Sequence, residues 1–210
     1  MKRILFILAI LTLSGNLCYS QLGITGGLNI AKYKYTSDRT NLLAFNAGLV
    51  YRAGKAKGNL FVEPQLLYTM KGAVKYPDID INNDVLKYTN RLSYVELSMP
   101  FFFSRKLNDN ELYRMDFGIG PYAGYLVHAT YTAETYEGDK ATGRYKIGSS
   151  SSDDFKPVDA GLTFLTGVTI SNIGFRFQYD LGLANTNTLK NDAALKMRAA
   201  MLNVVIYFGR

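Results

Sequence analysis

Nine side chains raise the first chemical question: Arg52, Glu63, Gln65, Glu96, Arg114, Asp116, Arg176, Gln178 and Asp180. Each lies in a stretch where apolar and polar residues alternate. The clearest is "IGFRFQYDLGLA" (173–184). Its odd positions are Ile, Phe, Phe, Tyr, Leu and Leu, and its even positions include Arg176, Gln178 and Asp180. On a water-facing surface such charges would be solvated. In an enclosed space they must pair with one another, because an isolated buried ion is costly. Both signs are present, so the expected chemistry is mutual neutralisation: a polar network that plugs a lumen rather than lining an open pore.

Other candidate chemistries are thinner. His128 is the only histidine, and Ser149–Ser152 and Asp153 follow it in a polar stretch. A hydrolytic site at a barrel rim would need such residues, but nothing in their spacing fixes a geometry, and loops are rich in Ser and Asp. The segment "DIDINND" (78–84) alternates oxygen donors. A calcium loop of the EF-hand kind would want Gly and Glu where Asn83 and Thr89 stand. No phosphate loop or zinc spacing occurs. The expectation is therefore no catalytic residues, no metal and no cofactor.

The elements that position the nine side chains are period-two runs, the signature of strands. There are eight: about 22–33, 42–52, 59–70, 89–105, 111–127, 159–171, 173–184 and 196–208. Short connections are expected after the second, fourth and sixth runs, at 53–58, 108–110 and 171–172. Longer ones are expected after the others, at 34–41, 71–88, 128–158 and 185–195. An even number of strands, with short turns on one side and long loops on the other, fits an all-β, eight-stranded antiparallel up-and-down transmembrane barrel.

Three features favour lipid over a soluble core as the partner of the apolar faces. These faces run for about nine to eleven residues, the length a tilted strand needs to cross a bilayer. Tyr51, Tyr68, Tyr113, Tyr125 and Tyr207 fall near run ends, where an interfacial girdle would place them. Glycines crowd the polar face of the fifth and sixth runs, which suits a narrow lumen.

Composition and ends agree. The 210 residues suit one domain, with 16 Tyr, 12 Phe and 19 Gly but one Cys and one His. Lys2 and Arg3 precede the apolar Ile4–Leu13, too short to span a bilayer as a helix, so residues 1–20 have the form of a secretory signal cleaved before Gln21. A lipoprotein cut at Cys18 is disfavoured by Leu17, which stands where a small residue is wanted. The mature chain, 21–210, would then have no cysteine, and the formal charge of +7 would fall to +5. No Lys/Arg cluster marks a nucleic-acid footprint.

Five stretches carry a resemblance: "GITGGLNIA" (23–31), "FVEPQLLYTMKGA" (61–73), "YVELSMPFFFSRKL" (94–107), "GIGPYAGYLV" (118–127) and "FRFQYDLGLAN" (175–185). They resemble the strand signatures of the PorT-type outer-membrane β-barrel family. The fourth strand departs from the pattern at Pro100, two positions late, and the third at Gln65, where Glu is common. The resemblance implies a small outer-membrane barrel. Some relatives take part in type IX secretion, so it also implies an accessory role in secretion or envelope assembly as an alternative to an interaction barrel. A narrow channel or rim-site lipid enzyme ranks lower. The expected partners are outer-membrane lipid, the barrel-assembly machinery through the aromatic-ended "NVVIYFGR", and a protein or ligand at loops 71–88 and 128–158.

Overall fold

The computed structural model describes residues 19–34, 39–54, 59–77, 84–107, 112–150, 152–188 and 195–208. The alternating runs become strands β1 (Tyr19–Lys34), β2 (Arg39–Gly54), β3 (Leu60–Val62), β4 (Gln65–Lys75), β5 (Val85–Ser98), β6 (Phe101–Lys106), β7 (Tyr113–Thr135), β8 (Lys140–Arg144), β9 (Val158–Ile170), β10 (Ile173–Gly182) and β11 (Lys196–Phe208). Residues 1–18, most of the expected signal, lie outside the described residues, and β1 starts two residues before the expected cleavage point.

Ten of these segments form eight staves. Proline explains the two breaks, because it cannot donate to a ladder. Pro64 separates β3 from β4, and Pro100 separates β5 from β6. Pairing continues across the gaps: Tyr51 N–H donates to the Pro64 carbonyl at 2.9 Å and Glu63 N–H to the Pro100 carbonyl at 3.1 Å. Successive staves pair antiparallel, and β1 pairs with both β2 and β11, which closes the sheet on itself. A closed sheet has no exposed edge, the condition for crossing a bilayer with strands.

Side-chain facing is inside out relative to a soluble protein. Phe177 is 43% exposed while its neighbours Arg176 and Gln178 are 4% and 1% exposed. The same inversion runs along β1, β2, β4, β9 and β11, where Leu28, Phe45, Leu66, Phe164 and Leu202 are exposed and Asn29, Asn46, Gln65, Thr163 and Asn203 are buried. A continuous exposed apolar belt of this kind marks a membrane surface. The lumen is narrow enough that a side chain at Gly118 would lie 2.7 Å from the inward Phe102 ring.

The connections differ from expectation on the loop side. β1 ends at Lys34 and β2 begins at Arg39, so the first connection is as short as a turn. Much of the expected loops 71–88 and 128–158 is strand. β4 continues to Lys75, β5 starts at Val85, β7 continues to Thr135, and the extra strand β8 pairs back onto β7 between Thr130 and Glu134. The register of β7 shifts beside His128, and the alternation of exposed and buried residues that runs to Val127 gives way to half-buried residues from Thr130 to Thr135. An extended wall of β4, β5, β7 and β8 results. On it Glu134 pairs with Lys87 at 3.1 Å and Lys140 at 3.7 Å, which holds its carboxyl below the usual range. "NDN" (108–110) and all of "DIDINND" except Asp84 lie outside the described residues.

The facing predicts a depth-dependent cost. Phe177→Arg, in the middle of β10, should lower stability by roughly 2–4 kcal/mol, and Phe208→Arg, at the rim, by about 0–1 kcal/mol. Urea unfolding in lipid vesicles measures both, and equal losses would contradict the assigned facing.

Candidate functional site: two ionic clusters and a capped mouth

Inward positions of the staves bring two groups of charges together at different depths. Nearer the short turns, Arg52 of β2 and Arg176 of β10 converge on Glu63, at the β3–β4 break. Arg52 Nε lies 3.0 Å from Glu63 Oε2. Arg176 grips the same carboxylate with both nitrogens, Nη2 donating to Oε2 at 3.0 Å and Nη1 donating to Oε1. The Tyr207 hydroxyl of β11 donates to Glu63 Oε2 at 2.7 Å and accepts from Arg52 Nη2 at 2.7 Å. Gln65 Nε2 adds a bond to Glu63 Oε1 at 3.2 Å. Asp116 of β7 takes the other end of Arg52 at 3.2 Å and accepts from Ser104 and Thr169 hydroxyls, each at 2.6 Å. Both guanidinium groups also sit over aromatic faces, Arg52 4.2 Å from the Phe61 ring centre and Arg176 4.9 Å from that of Phe102. Two cations meet two anions, so this cluster is balanced.

Nearer the long loops, Lys71 of β4 lies among three carboxyl groups: Glu96 of β5 at 2.6 Å, Asp180 of β10 at 3.3 Å and Asp159 of β9 at 3.5 Å. Tyr122 donates to Asp159 at 3.1 Å, and its ring centre is 4.5 Å from Lys71 Nζ. Gln178 Nε2 donates to Asp180 at 3.1 Å, and Asn203 and Asn46 extend the chain of bonds across β11 and β2. All four charged groups are shut away from solvent. One cation against three carboxyl groups is not balanced, and Glu96 Oε1 and Asp159 Oδ1 have no hydrogen-bond partner among the described residues.

Eight of the nine residues singled out by sequence are thus inside the lumen, and seven belong directly to the clusters, with Gln178 linking one of them to Asn203. Arg114 differs: it is half-buried at the turn end of β7. Tyr207 corrects an expectation. It is 2% exposed and bonds Glu63 in the lumen, so it belongs to no girdle. Its parity with Asn203 and Val205 gave the correct side, and the girdle argument overrode it. Lys71, Asp159, Tyr122, Ser104 and Thr169 went unread. Lys71 lies one residue past the expected end of its run, yet on the parity of Gln65 and Thr69. The lumen is also less polar than expected. Phe61 stacks on Phe102 with ring centres 4.9 Å apart, beside Leu165, and Val50 and Val205 pack by Tyr207.

An apolar cluster of described residues lies toward the loop side of the lumen. Phe155 and Leu195 join Leu92, Tyr94, Leu126 and Met197 in one apolar cluster, with Tyr145 and Ile147 packed against it. Tyr145 contacts the Phe155 ring edge-on at 5.0 Å and donates to Asn90 Oδ1 at 2.8 Å. Lys156 N–H donates to the Thr186 carbonyl and Thr186 N–H to that of Leu195, so segments from two loops are tied together over the opening. His128 faces outward on β7, exposed. Asp153 accepts the Ser150 amide at 2.8 Å, which makes it a turn residue. Among the described residues no group of His, Cys, Asp or Glu is arranged to hold a metal.

The difference in balance makes a prediction. Glu63→Gln leaves two guanidinium groups short of a carboxylate and should cost about 3–5 kcal/mol. Glu63→Gln with Arg176→Met removes one charge of each sign and should recover part of that loss. Glu96→Gln relieves an excess of carboxyl groups and should be far milder than Glu63→Gln. Vesicle unfolding measures the series, and equal losses for the two single variants would contradict the charge count.

A family model described as outer membrane protein beta-barrel domain matches residues 15–187. No curated protein matches the chain in sequence. Among solved structures, neisserial surface protein A is similar at 12% identity and a TM-score of 0.50, covering 90% of this chain and 97% of that one, which supports the fold alone. Ail of Yersinia pestis (16%, TM-score 0.41, 90% and 97% covered) and OprG of Pseudomonas aeruginosa (10%, 0.46, 91% and 97%) are also similar. An antiparallel sheet closed on itself, an apolar outer belt and this match place the protein in the outer membrane, and the chain belongs to the outer membrane protein beta-barrel domain family.

Proposed function

We propose that the protein is a closed-lumen barrel that presents its loop side outside the cell for interaction, with neither a transport path nor a catalytic site. The reading is supported by the side chains described inside the barrel. Two ionic clusters, the Phe61–Phe102 stack and the Phe155 cap lie in series along the lumen. Outer-membrane barrels keep short turns inside and longer loops outside, which supports the same orientation here. The extended β4–β5–β7–β8 wall, with Tyr88, Tyr131 and Lys87 partly exposed, is the surface offered to a protein or ligand. At the other rim, Phe208 ends β11 pointing to lipid, as an assembly signal in a final strand would.

A second reading is an accessory role in protein secretion or envelope assembly, supported by the likeness of Tyr94–Pro100 and Phe61–Ala73 to PorT-type strands. Such an accessory needs the same outward wall and no open pore. A deletion strain that exports every secreted protein normally would remove this reading.

The closed lumen predicts no steady conductance in planar bilayers. A stable ion current from the folded protein would contradict it.

A further inference from the structure

Where β1 meets β11, the lipid-facing side of the barrel ends in cations that have no ion pair among the described residues. Leu28 and Ile30 on β1, and Leu202 on β11, are exposed apolar residues of the belt. The next outward positions toward the loops, past Ala200, are Lys32 and Arg198, and the register sets these two directly opposite each other. One step further it opposes Lys34 to Lys196. Ala31, Met197 and Ala199, interleaved with them, are buried in the lumen, so alternation turns Lys32, Lys196 and Arg198 outward. Like charges in direct cross-strand positions destabilise a sheet. Neither Lys32, Lys196 nor Arg198 forms an ion pair among the described residues. On the far side of Arg198 the register brings Leu181 of β10, which carries no charge. Arg198 Nε is enclosed and has no hydrogen-bond partner among the described residues.

The depth of this row identifies its ligand. The outward apolar face of β1 runs from Leu22 to Ile30, nine residues, enough for a tilted strand to cross the hydrocarbon. Lys32 and Arg198 therefore stand at headgroup level. Lys and Arg at that level attract anionic lipid headgroups, and an Arg donor fork fits a phosphate. We propose that the β1–β11 seam binds the phosphate of a phosphorylated glycolipid in the outer leaflet, its acyl chains lying on Ile30, Leu28 and Leu202. The assignment of leaflet rests on the orientation proposed above.

Native mass spectrometry of the full mature barrel in zwitterionic detergent tests this, with bisphosphorylated lipid A as probe. Dephosphorylated lipid A and phosphatidylglycerol serve as comparison lipids. The wild type should retain bisphosphorylated lipid A in preference to both. The Lys32→Gln/Lys196→Gln/Arg198→Gln variant should bind it at least tenfold more weakly, with heat-modifiable migration showing a folded barrel. Arg105→Gln, at the opposite rim, should leave binding unchanged. If the triple variant migrates as unfolded, Lys32→Gln alone carries the test, with a loss of about threefold. Unchanged binding by the folded variant, or equal binding of dephosphorylated lipid A or phosphatidylglycerol, would overturn the site. Orientation has a separate readout. Ser149→Cys should be labelled by an impermeant maleimide on intact cells. Failure of labelling would overturn the outward orientation and the leaflet even if lipid binds in micelles.

Discussion

The barrel depends on one carboxylate. Glu63 receives both guanidinium groups of the turn-side cluster, the Tyr207 hydroxyl and the Gln65 amide. In a lumen without bulk water each of those donors needs an acceptor from the protein itself, and each acceptor a donor. The staves that carry them (β2, β10 and β11) meet the β3–β4 stave at this point. Closure of the sheet and neutrality of its interior are thus two aspects of one constraint. The proline that breaks the stave at Pro64 directly follows the residue on which the cluster converges, while the Pro64 carbonyl still serves the ladder.

The second cluster obeys the same constraint less completely. Lys71 faces three carboxyl groups where Glu63 faces two cations. Buried ion pairs seldom add stability over an apolar core, but removing one partner of a pair is costly. A lumen built this way tolerates few changes of charge. The remaining polar chemistry lies outside the lumen, on the extended β4–β5–β7–β8 wall and at the cationic β1–β11 seam.

The wall of the barrel was legible in the sequence because lipid and lumen impose opposite demands on alternate residues. The run 173–184 keeps that alternation throughout and 94–104 departs from it only at Tyr94 and Phe102, so the side on which Arg176, Glu96 or Asp116 lies could be read directly. Partnership could not. The meeting of Arg176 with Glu63 spans 113 residues and depends on stave order and stagger. Reading stopped where alternation stopped. β7 shifts register beside His128 and its residues from Thr130 to Thr135 are half-buried on both faces, so strand continues there beyond the exposed apolar face, and Lys71 lies one residue past the last apolar residue of its run. Tyr207 shows the converse failure: residue type suggested an interface, whereas period two placed it in the lumen.

The central claim is that the apolar face of each stave meets lipid and the charged face meets a filled interior. Spin labels placed singly along β10, from Ile173 to Gly182 but omitting Arg176 and Asp180, test it by electron paramagnetic resonance power saturation in lipid nanodiscs. The account predicts oxygen accessibility that peaks at 173, 175, 177, 179 and 181. At 174, 178 and 182 it predicts low accessibility both to oxygen and to a water-soluble nickel reagent. High nickel accessibility at 178 would show a water-filled lumen and contradict it.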